Sequence, residues 1–324
     1  MTLTMCCKIV FHKTERRSEI TMYKVSKIEF ESSFKELTDK GSLVLPRNIK
    51  DFDKYNVRDM FRPGDALTIS FGYDGYPIEE FTGYIRRVSA DIPITLEFEN
   101  EMSKVKLLPV NYSAKNATLE DLLKAIAPTY EIDAQEGVQL GAVRYPRMQA
   151  GQVFEKLKSE WGLYTYMRGK KLTSGKYLSA NTDKETFVFH LERNCVSTSL
   201  KYKLKEDVKI KIKCESTLRN GEKIEINNIG DEDGNERKLT FYGITDKAEL
   251  ERQGRMEYKK YKVDRFDGSF VAFGLPSVQH GQKVTVVSDL YKDRAGTYYI
   301  EKVVKTFDGG GIRQQITLGD KVST

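Results

Sequence analysis

The chain has 324 residues, 39% hydrophobic and 31% charged, with 8 Pro and 24 Gly. That balance excludes a disordered or collagenous protein and is long enough for two or three compact units. Its 53 basic and 47 acidic residues are mixed along the chain, and a net charge of +6 is too small to define a nucleic-acid-binding surface. No run approaches about 18 apolar residues, so no membrane insertion is expected. The opening MTLTMCCKIVFHKTERRSE has neither the charged start nor the cleavage pattern of a secretion signal. Cys6, Cys7, Cys195 and Cys214 fit neither a zinc spacing nor a disulfide framework, and reduced thiols in a cytoplasm are expected. The 18 Tyr and 16 Phe against one Trp favour strands.

Residues 1–21 are read as an N-terminal extension, because the strand pattern begins near Met22. Residues 22–108 form a first β-barrel. Leu67, Ile69 and Phe71 alternate with Ala66, Thr68 and Ser70, and Ile94, Leu96 and Phe98 alternate with Thr95, Glu97 and Glu99. The turn sequences Arg62-Pro63-Gly64-Asp65 and Tyr73-Asp74-Gly75-Tyr76-Pro77 bound the first of these runs.

Residues 109–180 change period and form an α/β insert. Leu119, Leu122, Leu123 and Ile126 share a helix stripe, with Thr118 and Asp121 as its capping pair and Pro128 beyond its end. A second stripe of Ala150, Val153, Phe154, Leu157 and Trp161 stops at Gly162.

Residues 181–324 form a second β-barrel with one interrupting helix. Val208, Ile210, Ile212 and Cys214 alternate with Asp207, Lys209, Lys211 and Lys213. The segment Asp231-Glu232-Asp233-Gly234-Asn235 reads as a hairpin tip. The helix starts at Asp246, with Glu249 three residues on, and carries a thin stripe of Leu250, Gly254, Tyr258 and Tyr261. The expected fold is mainly β with an α+β insert: two similar small β-barrels plus an α/β middle domain.

The two β regions repeat one another. Gly64, Leu67-Thr68-Ile69, Thr82 to Val88 and Ile94-Thr95-Leu96 recur in the same order. Their counterparts are Gly281, Val284-Thr285-Val286, Thr297 to Val303 and Ile316-Thr317-Leu318, at offsets of 217, 215 and 222. The repeat positions Gly64, Thr68, Tyr84, Ile85, Val88, Gly281, Thr285, Tyr298, Ile300 and Val303 are the candidate structural and interface residues. Three such chains closing into a ring would set six barrels around one axis, so that a threefold object docks onto a sixfold one.

The segment RPGDALTISFGYDGYPIEEFTGYIRRVSADIPITLEFEN, residues 62–100, resembles the first barrel of phage tail baseplate hub proteins of the Mu type. Leu37-Thr38-Asp39 with Leu43-Val44-Leu45-Pro46-Arg47 is similar to that family's opening strand and turn. Ala117 to Leu123 and Val153 to Leu163 resemble its middle domain. Gly274-Leu275-Pro276, His280-Gly281-Gln282, Gly296 to Ile300 and Ile316 to Gly319 resemble its ending. The resemblance covers about residues 22–322. His280-Gly281-Gln282 departs from the family's Pro-Gly-Asp type of turn.

The resemblance implies a homotrimer whose paired barrels form a pseudo-sixfold ring joining the tail tube protein to a separate central spike protein. Genome or effector would pass through its channel without specific binding. Such a protein belongs to the virion tail baseplate, assembled in the bacterial host cytoplasm, or to a tailocin or type VI system. No spike helix or peptidoglycan-cleaving domain is recognised in the chain, so the spike is expected to be another polypeptide.

Catalytic, cofactor and metal sites are not expected. His12, His190 and His280 lie far apart with no Ser or Asp in a recognisable spacing. Gly309-Gly310-Gly311 lacks the Lys-Ser/Thr of a phosphate loop and reads as a hairpin turn. Glu79 and Glu80 are strand neighbours, which point to opposite faces. Asn111-Tyr112-Ser113 and Asn116-Ala117-Thr118 fit a glycosylation pattern that has no use without a secretory route. Lys209, Lys211 and Lys213 are expected to face outward, because lining a channel they would grip a passing polyanion. Two alternatives from other classes are a cell-wall glycan hydrolase and a carbohydrate-binding module on a β scaffold.

Overall fold

The computed structural model describes residues 3–46, 56–176, 186–218 and 222–322. Arg47 and the domain boundary expected at 180/181 lie outside them.

The N-terminal segment carries β1 (Met5–Phe11) and β2 (Ile20–Met22). Then come β3 (Lys27–Ser33), β4 (Lys40–Val44), the short α1 (Val57–Met60), β5 (Ala66–Tyr73), β6 (Tyr76–Val88) and β7 (Thr95–Glu99). Asp74 and Gly75 both have positive φ, 54° and 83°, the combination that folds β5 back onto β6 in a two-residue hairpin. The alternating residues Leu67, Ile69, Phe71, Leu96 and Phe98 are buried, as the period-two pattern requires. The segment set apart as an N-terminal extension contributes to this core: β1 pairs along β5 from Met5↔Tyr73 to Phe11↔Leu67, burying Cys7, Ile9 and Phe11.

A separate α/β unit follows. It comprises α2 (Met102–Val105), β8 (Pro109–Thr118), α3 (Leu119–Ile126), β9 (Glu131–Ala134), β10 (Gln139–Gln149), α4 (Ala150–Trp161), β11 (Tyr164–Arg168) and β12 (Lys171–Gly175). Thr118 Oγ1 accepts the Asp121 N–H at 3.1 Å and caps α3, while Gly162, at φ 65°, ends α4. The two helical stripes meet in one core that also takes in Met102 and Val105.

The last region holds β13 (Thr186–His190), β14 (Cys195–Lys203), β15 (Ile210–Thr217), β16 (Lys223–Gly230), β17 (Asn235–Tyr242), α5 (Lys247–Tyr261), β18 (Arg265–Phe273), β19 (Lys283–Val287), β20 (Gly296–Asp308) and β21 (Gly311–Lys321). The helix interrupting this region does not act alone. α5, capped by the Asp246 carboxylate, covers a three-stranded sheet ordered β16-β15-β17 with its own core of Ile210, Ile212, Cys214, Ile229, Leu250 and Tyr261. The segment 231–234 is not a hairpin tip, because β16 and β17 lie on opposite edges of β15 and β17 runs parallel to it. A Cβ on Gly254 would lie 2.5 Å from both Cys214 Sγ and Ile229 Cδ1, so only glycine lets α5 approach so closely.

The two closed β-barrels expected from the sequence are not formed. The principal sheet has 13 strands and is open, ordered β14-β18-β21-β20-β3-β4-β7-β6-β5-β1-β2, with β19 on β20 and β13 on β19. To close the first barrel, β3 would have to pair with the far strand of its own meander. Its free edge is instead taken by β20, from Lys302↔Ser33 to Phe307↔Ile28. The sheet curls enough to bring Phe30 of β3 within 5.4 Å of Phe81 and 6.2 Å of Phe71, measured between ring centroids, without joining the ladder.

Candidate functional site

The two β regions contain the same five-stranded module. The first is ordered β3-β4-β7-β6-β5 and the second β14-β18-β21-β20-β19. Equivalence extends to single hydrogen bonds. Gly64 N–H bonds to Ile85 O and Gly281 N–H to Ile300 O, both at 2.7 Å. Ile85 N–H bonds to Asp65 O and Ile300 N–H to Gln282 O, both at 2.9 Å. Gly64 and Gly281 have φ of 93° and 82°. The departure at His280-Gly281-Gln282 leaves the turn intact, since Gln282 Oε1 accepts from Gln279 N as Asp65 Oδ2 accepts from Arg62 N.

A β-bulge recurs as well. The β6–β7 register slips between Ile85 and Arg87, and the β20–β21 register between Ile300 and Lys302, making Arg86 and Glu301 the extra residues. Thr68 lies opposite Thr82, and Thr285 opposite Thr297. The ladder keeps the offset of 215: Tyr84 corresponds to Tyr299 and Gly83 to Tyr298, because Ala66↔Tyr84 matches Lys283↔Tyr299 and Leu67↔Gly83 matches Val284↔Tyr298. One alignment read from the sequence changes. The last block moves by two residues: Val88 faces Leu96 and Val303 faces Ile316, so Ile316 corresponds to Leu96.

Tyr298 is fully buried and its hydroxyl accepts the Phe266 N–H at 2.8 Å. Tyr84 donates to Glu101 at 2.6 Å; burial first, and then that carboxylate, push its pKa up to about 12.

The modules meet along the β3–β20 ladder, and a buried ion pair sits beside it. Lys305 of β20 bonds to Glu80 of β6, with side chains 5% and 4% exposed. Ser277 donates to Glu80 at 2.8 Å and accepts from Lys305 at 2.7 Å. Burial lowers the Lys305 pKa, against the pull of Glu80. Sequence reasoning passed over this lysine. The available signal was its position between Val303 and Phe307 in the buried phase of a strand.

A polar cavity of about 160 Å³ lies at the same junction, lined by Ser32, Asp39, Glu80, Arg168, His280 and Lys305 among others. His280 is 3% exposed, with Nδ1 2.7 Å from Ser32 Oγ and Nε2 lacking a partner. Arg168 donates to the His280 carbonyl at 2.7 Å. Burial, then Arg168, push the His280 pKa down to about 3. Burial raises Asp39 to about 7 against bonds from Ser33, Ser32 and Asn100. A histidine, a serine and an aspartate are thus brought together from distant parts of the chain. Their order is Asp39, Ser32, His280, with the hydroxyl in the middle, whereas a nucleophilic triad needs the imidazole between hydroxyl and carboxylate.

The remaining sequence candidates are dispersed. His12 Nε2 contacts Thr68 Oγ1 at 2.9 Å. His190, Glu192 and Asp289 form the one group with metal-ligand spacing among the described residues. Glu192, however, already accepts from Ser288 and from the Asp289 N–H, and Asp289 from Arg193. Glu79 accepts from Thr82 at 3.0 Å and does not join Glu80. Gly309 and Gly310 turn the β20–β21 hairpin. Lys209 pairs with Asp233, and Lys213 with Glu225 at 3.0 Å. No described helix is long and apolar enough to cross a membrane.

Tail proteins of solved structure superpose on nearly the whole of this chain. The prophage MuSo2 43 kDa tail protein of Shewanella oneidensis superposes with a TM-score of 0.62 at 15% identity, covering 97% of this chain and 98% of that one. A tail protein of Neisseria meningitidis gives 0.61 at 12% identity, covering 99% and 97%. An Escherichia coli component of the type VI secretion system, described as structurally similar to two bacteriophage T4 tail proteins, gives 0.56 at 8% identity, covering 93% and 74%. The chain therefore has the fold of phage tail proteins. No protein-family model matches it, and no curated protein matches it in sequence.

Proposed function

We propose that the chain is a structural, non-catalytic baseplate hub of a contractile phage tail or a related injection system. Three copies would form a ring of six modules joining the tail tube to a separate central spike, with genome or effector passing through the channel without specific binding. The observation that carries this reading is the module repeated within one chain with the same strand order, turn hydrogen bonds and bulge. A chain carrying one surface twice lets a threefold assembly meet a sixfold one. The likeness to phage tail proteins over nearly the whole chain supports the setting. Virion tail baseplate is the location that goes with it, after assembly in the host cytoplasm.

The test is the solution mass. With a chain of 37.2 kDa, light scattering or native mass spectrometry is expected to give about 112 kDa. A monomer across a wide concentration range refutes the hub reading.

A further inference from the structure

We propose that the open edge of β14 docks a second copy of this chain, whose β6 repeats there the contact that β20 makes on β3. This deepens the trimer reading and rests on it. The two modules correspond strand for strand, so β14 stands where β3 does, and β6 where β20 does.

The register carries the correspondence to residues. Ile28 faces Leu43, which faces Leu96; Thr198 faces Phe270, which faces Ile316. Ile28 is therefore matched by Thr198, and Ser33 by Lys203. On the other strand, counting from the shared bulge matches Lys302 with Arg87 and Val303 with Val88, where β6 ends.

Equivalent positions are covered in one module and bare in the other. β3 is paired on both edges, and β14 ends the sheet among the described residues. Val303 is buried, 1% exposed, while its counterpart Val88 is only partly buried. Unpaired strand edges are templates for another chain. The operation that sets the second module on the first also sets the first module of one copy on the second module of another. Such a head-to-tail contact generates a ring when the rotation from module to module closes, and the trimer reading supplies that closure.

The contact then places Arg87 opposite the partner copy's Lys203, Val88 opposite its Tyr202 and, just past the end of β6, Ser89 opposite its Lys201. The Lys302–Glu31 ion pair at 2.5 Å has no counterpart, because Arg87 and Lys201 hold those places. Arg87 and Lys203 already have acidic partners in their own modules, Glu97 and Asp267. The seam between copies rests on the backbone ladder and on Val88 and Tyr202 rather than on charge.

The experiment joins Arg87→Cys with Lys203→Cys in the full chain, oxidised under native conditions and run on a denaturing, non-reducing gel. Directly opposed residues of antiparallel strands have Cα atoms about 4.5–5.5 Å apart, within disulfide reach. A second variant pairs Ser89→Cys with Lys201→Cys. At least one in-register pair is expected to give about tenfold more covalent oligomer than wild type, ending at three chains. Arg87→Cys with Lys201→Cys, two residues out of register, is expected to give little. Native mass spectrometry of the reduced variants reads assembly separately. Three chains with no cross-link from either in-register pair overturns this contact and leaves the trimer standing. Single chains throughout overturn both.

Discussion

Replacing Glu80 with Gln is expected to destabilise the joined modules by about 3 kcal/mol, the lower end of what removing one partner of a buried pair costs. The carboxylate and Lys305 are both at least 95% covered, and among the described residues the ammonium's other partner is the Ser277 hydroxyl at 2.7 Å. The amide oxygen of Gln keeps one acceptor but leaves the buried positive charge uncompensated. Urea denaturation followed by far-ultraviolet circular dichroism measures the change through its midpoint. Glu80→Gln with Lys305→Met removes both charges and is expected to recover most of the loss.

A pH series adds a signature. In Glu80→Gln the Lys305 pKa is held below its unfolded value by burial, so the unfolded state binds more protons in the window between the two pKa values. Stability of the variant relative to wild type must then rise as pH rises through that window. A loss below about 1 kcal/mol, the range of an exposed pair, refutes the assignment of this pair as a buried link.

Asp39 is raised to about 7 by burial, and Asp320 to about 6 by burial against Lys35. Both favour the protonated folded state, so their contribution is full below about pH 4 and lost as pH rises toward 7. The melting temperature of wild type is expected to fall relative to Asp39→Asn between pH 5 and 8, and parallel profiles refute the shift. Gly254→Val drives a side chain into Cys214 and Ile229 and is expected to cost about 1–3 kcal/mol, read by thermal denaturation. A neutral result there means that α5 does not pack so closely.

The features legible in the sequence were those fixed locally. Thr118, Gly162 and Asp246 mark helix ends because a cap needs only residues within one turn. Gly64 and Gly281 mark one turn twice because positive φ is a demand of the backbone at that residue. The strand pairing was not local. In the third block of the repeat, Ile94 was matched with Ile316, where the ladder matches Leu96. A slip of two residues leaves every side chain on its original face, and alternation is blind to it. The junction around Asp39, Ser32 and His280 was illegible for a similar reason, since His280 lies more than 200 positions from the other two.

Barrel closure was the larger error, and its cause bears on assembly. The sequence pattern defines which face of each strand is apolar but not which strand takes a free edge. In the first module the decision falls to β20, which arrives from the far end of the chain and occupies the edge of β3. The strands added beyond β5 and β19 also differ, β1 lying antiparallel on β5 and β13 parallel on β19. The duplicated modules therefore differ most at their borders, where each meets a neighbour, and least in the turn and bulge that set their own shape. That division is what the proposed assembly requires, in which one border is satisfied within the chain and the matching border by another copy.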